Sequence, residues 1–231
     1  MSDLAQTDLA LYKIPKPCGK VTRIQIGEAM PFAREQTSAI NKFTITEAEV
    51  NTLGIVGDEQ ADPFFHGGQF QAIHQMPASV YPLIKTNFPE VTIYEGMLGE
   101  NLIIGEADQT SMNESNVCVG DIYQIGTVKM QVTRPRKPCW KIDAQLNNRG
   151  IAKFLLDEGC IGWYYRIVQN GHFKLDDECT LIERPMPEAT LSSLWHTFNH
   201  IKDSNDPQLQ YWLNNEYLVQ SFKSSLQKRA R

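Results

Sequence analysis

No two of the five cysteines, Cys18, Cys118, Cys139, Cys160 and Cys179, are spaced as a CxxC pair. Neither a cysteine zinc site nor a redox dithiol is indicated, and the odd count excludes a fully paired disulfide framework. In a reducing compartment all five are expected as free thiols, each by default a small buried hydrophobe. Missing too is any run approaching the ~20 apolar residues needed to span a bilayer. The opening stretch MSDLAQTDLALYKIPKP carries acids and no long apolar core, so it does not read as a signal peptide. The expectation is a cytoplasmic protein without a membrane partner. A broad basic excess is also absent. Lys and Arg total 22 against 27 Asp and Glu, a net charge of −5, which argues against nucleic acid as a partner. A local cationic cluster can still hold a small anion. There is no internal repeat and no low-complexity segment.

What the sequence does contain is a series of short β-like runs separated by turn residues. With 42% hydrophobic residues in 231, the chain can bury a sizeable core as one large domain, or one large and one small. Gly19 to Ile26, Phe43 to Ile45, Leu102 to Ile104, Gly162 to Val168 and Thr180 to Glu183 read as strands. Asp121 to Ile125 and Val128 to Thr133, joined by Gly126-Thr127, read as a hairpin. Many short strands with Gly and Pro between them point to a mainly β barrel or sandwich with some helix. Two helices are expected within it, Pro77 to Phe88 and Ile151 to Asp157. After Arg184-Pro185-Met186-Pro187 the pattern turns helical. Thr190 caps a stripe of Leu191, Leu194, Trp195, Phe198 and Ile201. Asp206-Pro207 opens a second helix, and Leu218, Phe222 and Leu226 form a third stripe. The expected division is a β domain over residues 19–185 and a three-helix appendage over 186–231.

The chemistry concentrates in Arg134-Pro135-Arg136-Lys137-Pro138-Cys139. Three cations lie within five positions of one thiol. The prolines disfavour helix before them, so the segment leaves its strand extended. Nearby positive charge favours thiolate over thiol. A thiolate is a soft metal ligand, and the same cations suit a phosphate. Reactive thiol, metal ligand and anion site are all compatible with these residues, as is a solvated basic loop with an incidental cysteine. Elsewhere, the glycines of His66-Gly67-Gly68 can admit a close ligand beside a histidine able to contact an anion or donate a proton, but by itself the motif reads first as a Gly-Gly turn with a structural histidine. Leu98-Gly99-Glu100-Asn101-Leu102 likewise reads first as a turn stabilised by its Glu and Asn.

Taken in order, these segments resemble the MOSC domain family, and within it the YiiM-like branch. The resemblance is carried by Gly54-Ile55-Val56-Gly57-Asp58, His66-Gly67-Gly68, Gly99-Glu100-Asn101-Leu102, Val119-Gly120-Asp121 and the run from Arg134 to Lys141, across about residues 19–184. The helical tail is similar to the three-helix extension of that branch. The resemblance implies a MOSC-type β-barrel and a link to the molybdenum cofactor, molybdenum on a phosphorylated pterin dithiolene. Cys139 would be its protein ligand and the catalytic centre. Arg134, Arg136 and Lys137 would hold the anion, and His66, Gly67, Gly68, Glu100 and Asn101 would line the pterin pocket. After the Gly pair the family often has an acidic and then a basic residue; Gln69, Phe70 and Gln71 stand here instead. The implied activity is two-electron reduction of N-hydroxylated compounds, including N-hydroxylated base analogues. No flavin or iron–sulfur motif is visible, so a separate electron-donor reductase is implied. Two alternatives stay open: sulfur transfer through a Cys139 persulfide, and a cofactor carrier without turnover.

Overall fold

The computed structural model describes residues 15–62, 67–105 and 112–230. The strands, in chain order, are β1 (Lys16–Gly27), β2 (Met30–Pro31), β3 (Thr37–Ser38), β4 (Lys42–Ile45), β5 (Glu47–Asn51), β6 (Gly54–Ile55), β7 (Ile73–Gln75), β8 (Leu102–Ile104), β9 (Ile122–Ile125), β10 (Val128–Pro135), β11 (Trp163–Gln169), β12 (Gly171–Lys174) and β13 (Glu178–Glu183). The helices are α1 (Val80–Asn87), α2 (Trp140–Gln145), α3 (Ile151–Glu158), α4 (Leu191–His200), α5 (Pro207–Asn214) and α6 (Gln220–Arg229).

Seven strands close on themselves in the order β13, β9, β10, β11, β7, β8 and β1, with β13 pairing back to β1. Every pair around the ring is antiparallel except β7 with β8. Closure removes the open edges that would otherwise template aggregation. The barrel is filled by alternate side chains, among them fully buried Tyr123, Met130, Val132, Trp163 and Tyr165. The Tyr165 hydroxyl donates to Gln75 Oε1 at 2.7 Å, so this interior phenol is satisfied. β4 extends the sheet beyond β1, and β5, β6 and β12 form a separate three-stranded sheet.

The barrel and the predicted strands agree, but the helices needed adjustment. α1 begins at Val80, three residues later than predicted, so Pro82 falls in the first turn, where a missing N–H leaves no helical bond unmade. α3 starts at Ile151 as expected and stops at Gly159, whose φ of +71° suits glycine. Thr190 caps α4 by accepting the Ser193 N–H at 3.2 Å, and Asp206 caps α5 through the Gln208 N–H at 2.8 Å. Leu218 is buried but precedes the third tail helix, α6.

The tail is stitched to the barrel. Val119 and Leu191 N–H groups exchange with the Ala189 and Val117 carbonyls, and Ser192 N–H donates to the Glu114 carbonyl. Trp212 and Phe222 are fully buried in the same apolar cluster as the barrel interior. Each is worth about 1.5–3 kcal/mol or more of burial. Glu114 also turns its side chain inward, where one oxygen accepts the N–H groups of Ile161 and Gly162, each at 2.8 Å. The Gly162 carbonyl then receives the Arg136 N–H at 3.0 Å. The tail, the 161–162 turn and the Arg136 segment are thereby linked in series.

Burial pushes the Glu114 carboxyl above its ordinary range, opposed by its two N–H donors. The folded state therefore holds this proton more tightly than the unfolded chain. Stability from this group is gained as pH falls towards the ordinary glutamate value and lost as pH rises through the folded pKa. Glu114→Gln keeps the accepting oxygen and should flatten that pH dependence with little loss of Tm. Glu114→Ala strands two buried N–H groups at about 1–3 kcal/mol each. It should lower Tm by roughly 2–4 °C per kcal/mol lost. Thermal melts across pH read both.

Candidate functional site

β7, β11 and β10 lie side by side, which sets His74, Tyr164 and the chain leaving Pro135 at one end of the barrel. Their neighbours are Asn101, at the start of β8, and Lys42, on β4 beyond β1. Together they wall a cleft of about 690 Å³, solvent at its mouth included. Cys139, Arg136, Lys141, Lys42, Asp58, His74, Asn101, Gln71 and Tyr164 all line it. Glu59 contributes a second carboxylate to the rim, where it accepts the Ala29 N–H at 2.8 Å.

Cys139 is in extended backbone, as the prolines predict, with φ −131° and ψ 170°. Helix α2, absent from the sequence reading, starts at the next residue. It is held down by Ile142 in the core and by the β2–β3 segment. Trp140 takes the Arg34 guanidinium at 4.2 Å from its ring centre, and Lys141 Nζ donates to the Thr37 carbonyl at 3.0 Å. Arg34 and Glu35 adopt φ of +59° and +57°, left-handed backbone that costs non-glycine residues about 1–3 kcal/mol.

One carboxylate organises the opposite wall. Asp58 accepts from Lys42 Nζ, from the Gly27 N–H at 2.8 Å and from Asn101 Nδ2 at 2.8 Å. Asn101 Nδ2 also donates to the Gln25 carbonyl at 3.1 Å, and its Oδ1 accepts the His74 N–H at 3.1 Å. The Asn101 side chain is thus committed to the wall. Burial lowers the Lys42 pKa, against the pull of Asp58. His74 is fully desolvated and lies near Arg136; both effects hold its pKa well below the ordinary range, so the imidazole is neutral at physiological pH. Its Nδ1 lies 3.4 Å from the Gly99 carbonyl, which favours the tautomer protonated there.

Two lining residues carry buried polar atoms without a partner among the described residues: Arg136 Nη1 and His74 Nε2. Arg136 is 9% exposed and forms no ion pair there. A desolvated guanidinium with an unmade bond is costly. In a concave site it marks a place for an acceptor.

The remaining predicted residues fall elsewhere. Arg134 stands behind the wall, where its Nη2 donates to Gln71 Oε1 at 2.6 Å and its guanidinium lies 5.2 Å from the Tyr164 ring centre. Lys137 turns away towards the tail, with Nζ 4.9 Å from the Phe198 ring centre. Glu100 is wholly buried beneath the cleft, bonded to the Tyr81 hydroxyl and the Gly96 N–H, and burial raises its pKa. Gly67 and Gly68 lead into the cleft rather than line it. Gly68 takes φ +85°, and its carbonyl receives the Gln71 N–H at 2.9 Å, which aims Gln71 inward. His66 lies outside the described residues. Lys42, His74, Gln71, Tyr164 and Lys141 are cleft residues the sequence reading left without a role. Of these, only Lys141 lies inside a matched motif, and Asp58, which ends another, was likewise given none. Burial pushes the Cys118 thiol up to about 12 and the Cys160 thiol up to about 11, so neither competes as a thiolate.

No described helix is long and apolar enough to cross a membrane. The chain is 35% identical over 180 residues to a protein named Reductase from Gibberella moniliformis, matching 75% of this chain. It spans only 31% of that reductase's length. It is 29% identical over 213 residues to Protein YiiM of Escherichia coli, covering 89% of this chain and 90% of that one. The crystal structure of YiiM from Geobacillus stearothermophilus superposes with a TM-score of 0.75 over 92% of this chain and 99% of that chain, at 24% identity. The family model described as the MOSC domain matches residues 62–180, more than half of the sequence. With the seven-strand barrel, this places the chain in the MOSC domain family, among the YiiM-like proteins.

Proposed function

We propose that the protein is a molybdenum-cofactor-dependent reductase of N-hydroxylated compounds, with Cys139 as the ligand to the metal. MOSC domains are associated with this cofactor. The observation that carries the reading is the buried guanidinium of Arg136, whose Nη1 has no partner among the described residues, in the same cleft as the Cys139 thiol. A phosphorylated pterin dithiolene needs both a soft ligand for its metal and a fixed donor for its anionic part, and these two residues fit that group. Lys141 adds a second cation to the same wall. When bound, the cofactor supplies the two-electron chemistry.

The chain's own residues do the rest. Arg136 and Lys141 hold the anion. Neutral His74 offers Nε2 as an acceptor in the floor. Arg134 braces Gln71 and Tyr164 at the mouth. Reduction of an N–OH group to N–H and water requires a proton on the departing oxygen. Lys42 Nζ, more acidic than a free lysine through burial and held by Asp58, is our assignment for that donor.

Protein purified from a cofactor-competent host should contain molybdenum and pterin in near-equal amounts. Cys139→Ser should lose the metal. Arg136→Met should lose the pterin about tenfold or more, and its Tm should hold, because the variant discards an unpartnered buried charge. Wild-type protein that stays metal-free after loading, with one added sulfur on Cys139 by mass spectrometry, would instead establish sulfur transfer. Full loading without turnover of a hydroxylamine or amidoxime would establish a carrier.

The Asp58 network carries its own prediction. Asp58→Ala leaves Lys42 charged and buried, which should cost about 3–5 kcal/mol. Denaturant titration measures it. A loss under 1 kcal/mol would show that the wall does not depend on that carboxylate.

A further inference from the structure

Arg136 and Cys139 face the cleft, whereas Lys137, between them, points to the C-terminal helices. Its Nζ lies 4.9 Å from the centre of the Phe198 ring on α4, and Arg229 of α6 places its guanidinium 4.4 Å from the same centre. Each such contact is worth about 0.5–1 kcal/mol at an exposed site. Two like charges on one ring also repel. A surface cation pair ordinarily collects a carboxylate, yet neither residue has an ion-pair partner among the described residues.

The sequence withholds the carboxylate systematically. Residues 189–202 and 217–231 contain no Asp or Glu, while they supply Lys202, Lys223, Lys228, Arg229 and Arg231 to a chain of net charge −5. Lys137, Lys228 and Arg229 are exposed. The Lys137–Arg229 pair adjoins the candidate centre. Lys137 precedes Cys139 by two residues, so their Cα atoms lie within about 7 Å.

We propose that the surface around Lys137, Phe198 and Arg229 docks a small acidic electron-carrier protein that supplies reducing equivalents to the site at Cys139. The proposal rests on the reductase reading and names its partner. Conversion of R–NH–OH to R–NH2 and water breaks the N–O bond and consumes two electrons and two protons. A carrier holding flavin hydroquinone supplies both as it is oxidised to the quinone. Charge complementarity across such a surface steers encounter. A donor seated on the tail side leaves the cleft mouth free for substrate. Nucleic acid fits the surface poorly: Phe198 and Trp195 are 4% and 7% exposed and offer no face for base stacking.

The probes are reduced flavodoxin and reduced ferredoxin, both acidic, titrated into the cofactor-free full chain by thermophoresis. At least one should bind at low ionic strength and weaken steeply with salt. Arg229→Glu should weaken it about tenfold, with Arg229→Gln intermediate and Arg229→Lys close to wild type. In molybdenum-loaded protein, turnover driven by reduced methyl viologen, a small donor that needs no docking, should be unchanged in Arg229→Glu. Turnover with methyl viologen but indifference of both carriers to Arg229→Glu overturns the docking surface. No turnover with any donor overturns the reductase reading, while the binding titration still judges the surface. Tighter binding of single-stranded DNA than of either carrier overturns the choice of partner.

Discussion

The cleft depends on the carboxylate of Asp58. It accepts the Lys42 ammonium, the backbone of Gly27 and the Asn101 amide, and through Asn101 it fixes the main chain at Gln25 and His74. Parts of β1, β4, β7 and β8 are thus tied to one side chain. Hydrogen bonds to a charged group are the strong ones in a desolvated place, and the arrangement is worth its burial only because every partner is present. Removal of any member would leave a charge or an amide without a counterpart in a low-dielectric wall.

The same economy explains why Arg136 stands out. Around it, Asp58 is met by three donors, Asn101 at both ends of its amide and Gln71 by Arg134, while His74 Nε2 and Glu100 Oε2, like Arg136 Nη1, have no partner among the described residues. Among the described residues that line the cleft, its guanidinium is a cation with an open donor, beside the Cys139 thiol. The basic run therefore divides its labour. Arg134 braces, Arg136 waits for an acceptor, and Lys137 joins the tail surface. Three adjacent cations of one short segment reach three different environments because the chain is extended there and its prolines fix the direction of each step.

Much of the barrel was legible in the sequence. Leu102 to Ile104, the hairpin around Gly126-Thr127 and the two tail caps at Thr190 and Asp206 carry their signals locally, in alternation or in a capping side chain. β7 was not legible. Ile73-His74-Gln75 is three residues long, buried on every side, and held by neighbours about 90 and 27 positions away. Helix α2 was hidden because Pro138 and the charge run dominate its approach, and its packing partners sit a hundred residues earlier. For the site, Cys139, Arg136 and Asn101 emerged from motifs. Lys42 and His74 did not, since nothing in KFTI or IHQ distinguishes a cleft residue from a strand residue until the sheet is closed. Glu100 and Lys137 were legible as unusual residues but not as to direction, which burial beside Tyr81 decides for the first and the ring of Phe198 for the second.

The series linkage from the tail through Glu114 to Arg136 has a temporal side. Residues 114–119 are synthesised well before Ala189, Leu191 and Ser192, the groups that complete their backbone bonds. At about 5–20 residues per second, the interval on the ribosome is roughly 4–15 s. Throughout it, the segment that props the 161–162 turn lacks its outer partners, and β13, which closes the ring, arrives only shortly before the tail. The backbone at Arg136 therefore gains the full support of this linkage only after the tail is made, although the residue itself is made near the middle. In the order of synthesis, the final helices are thus the last support added beneath the cationic segment.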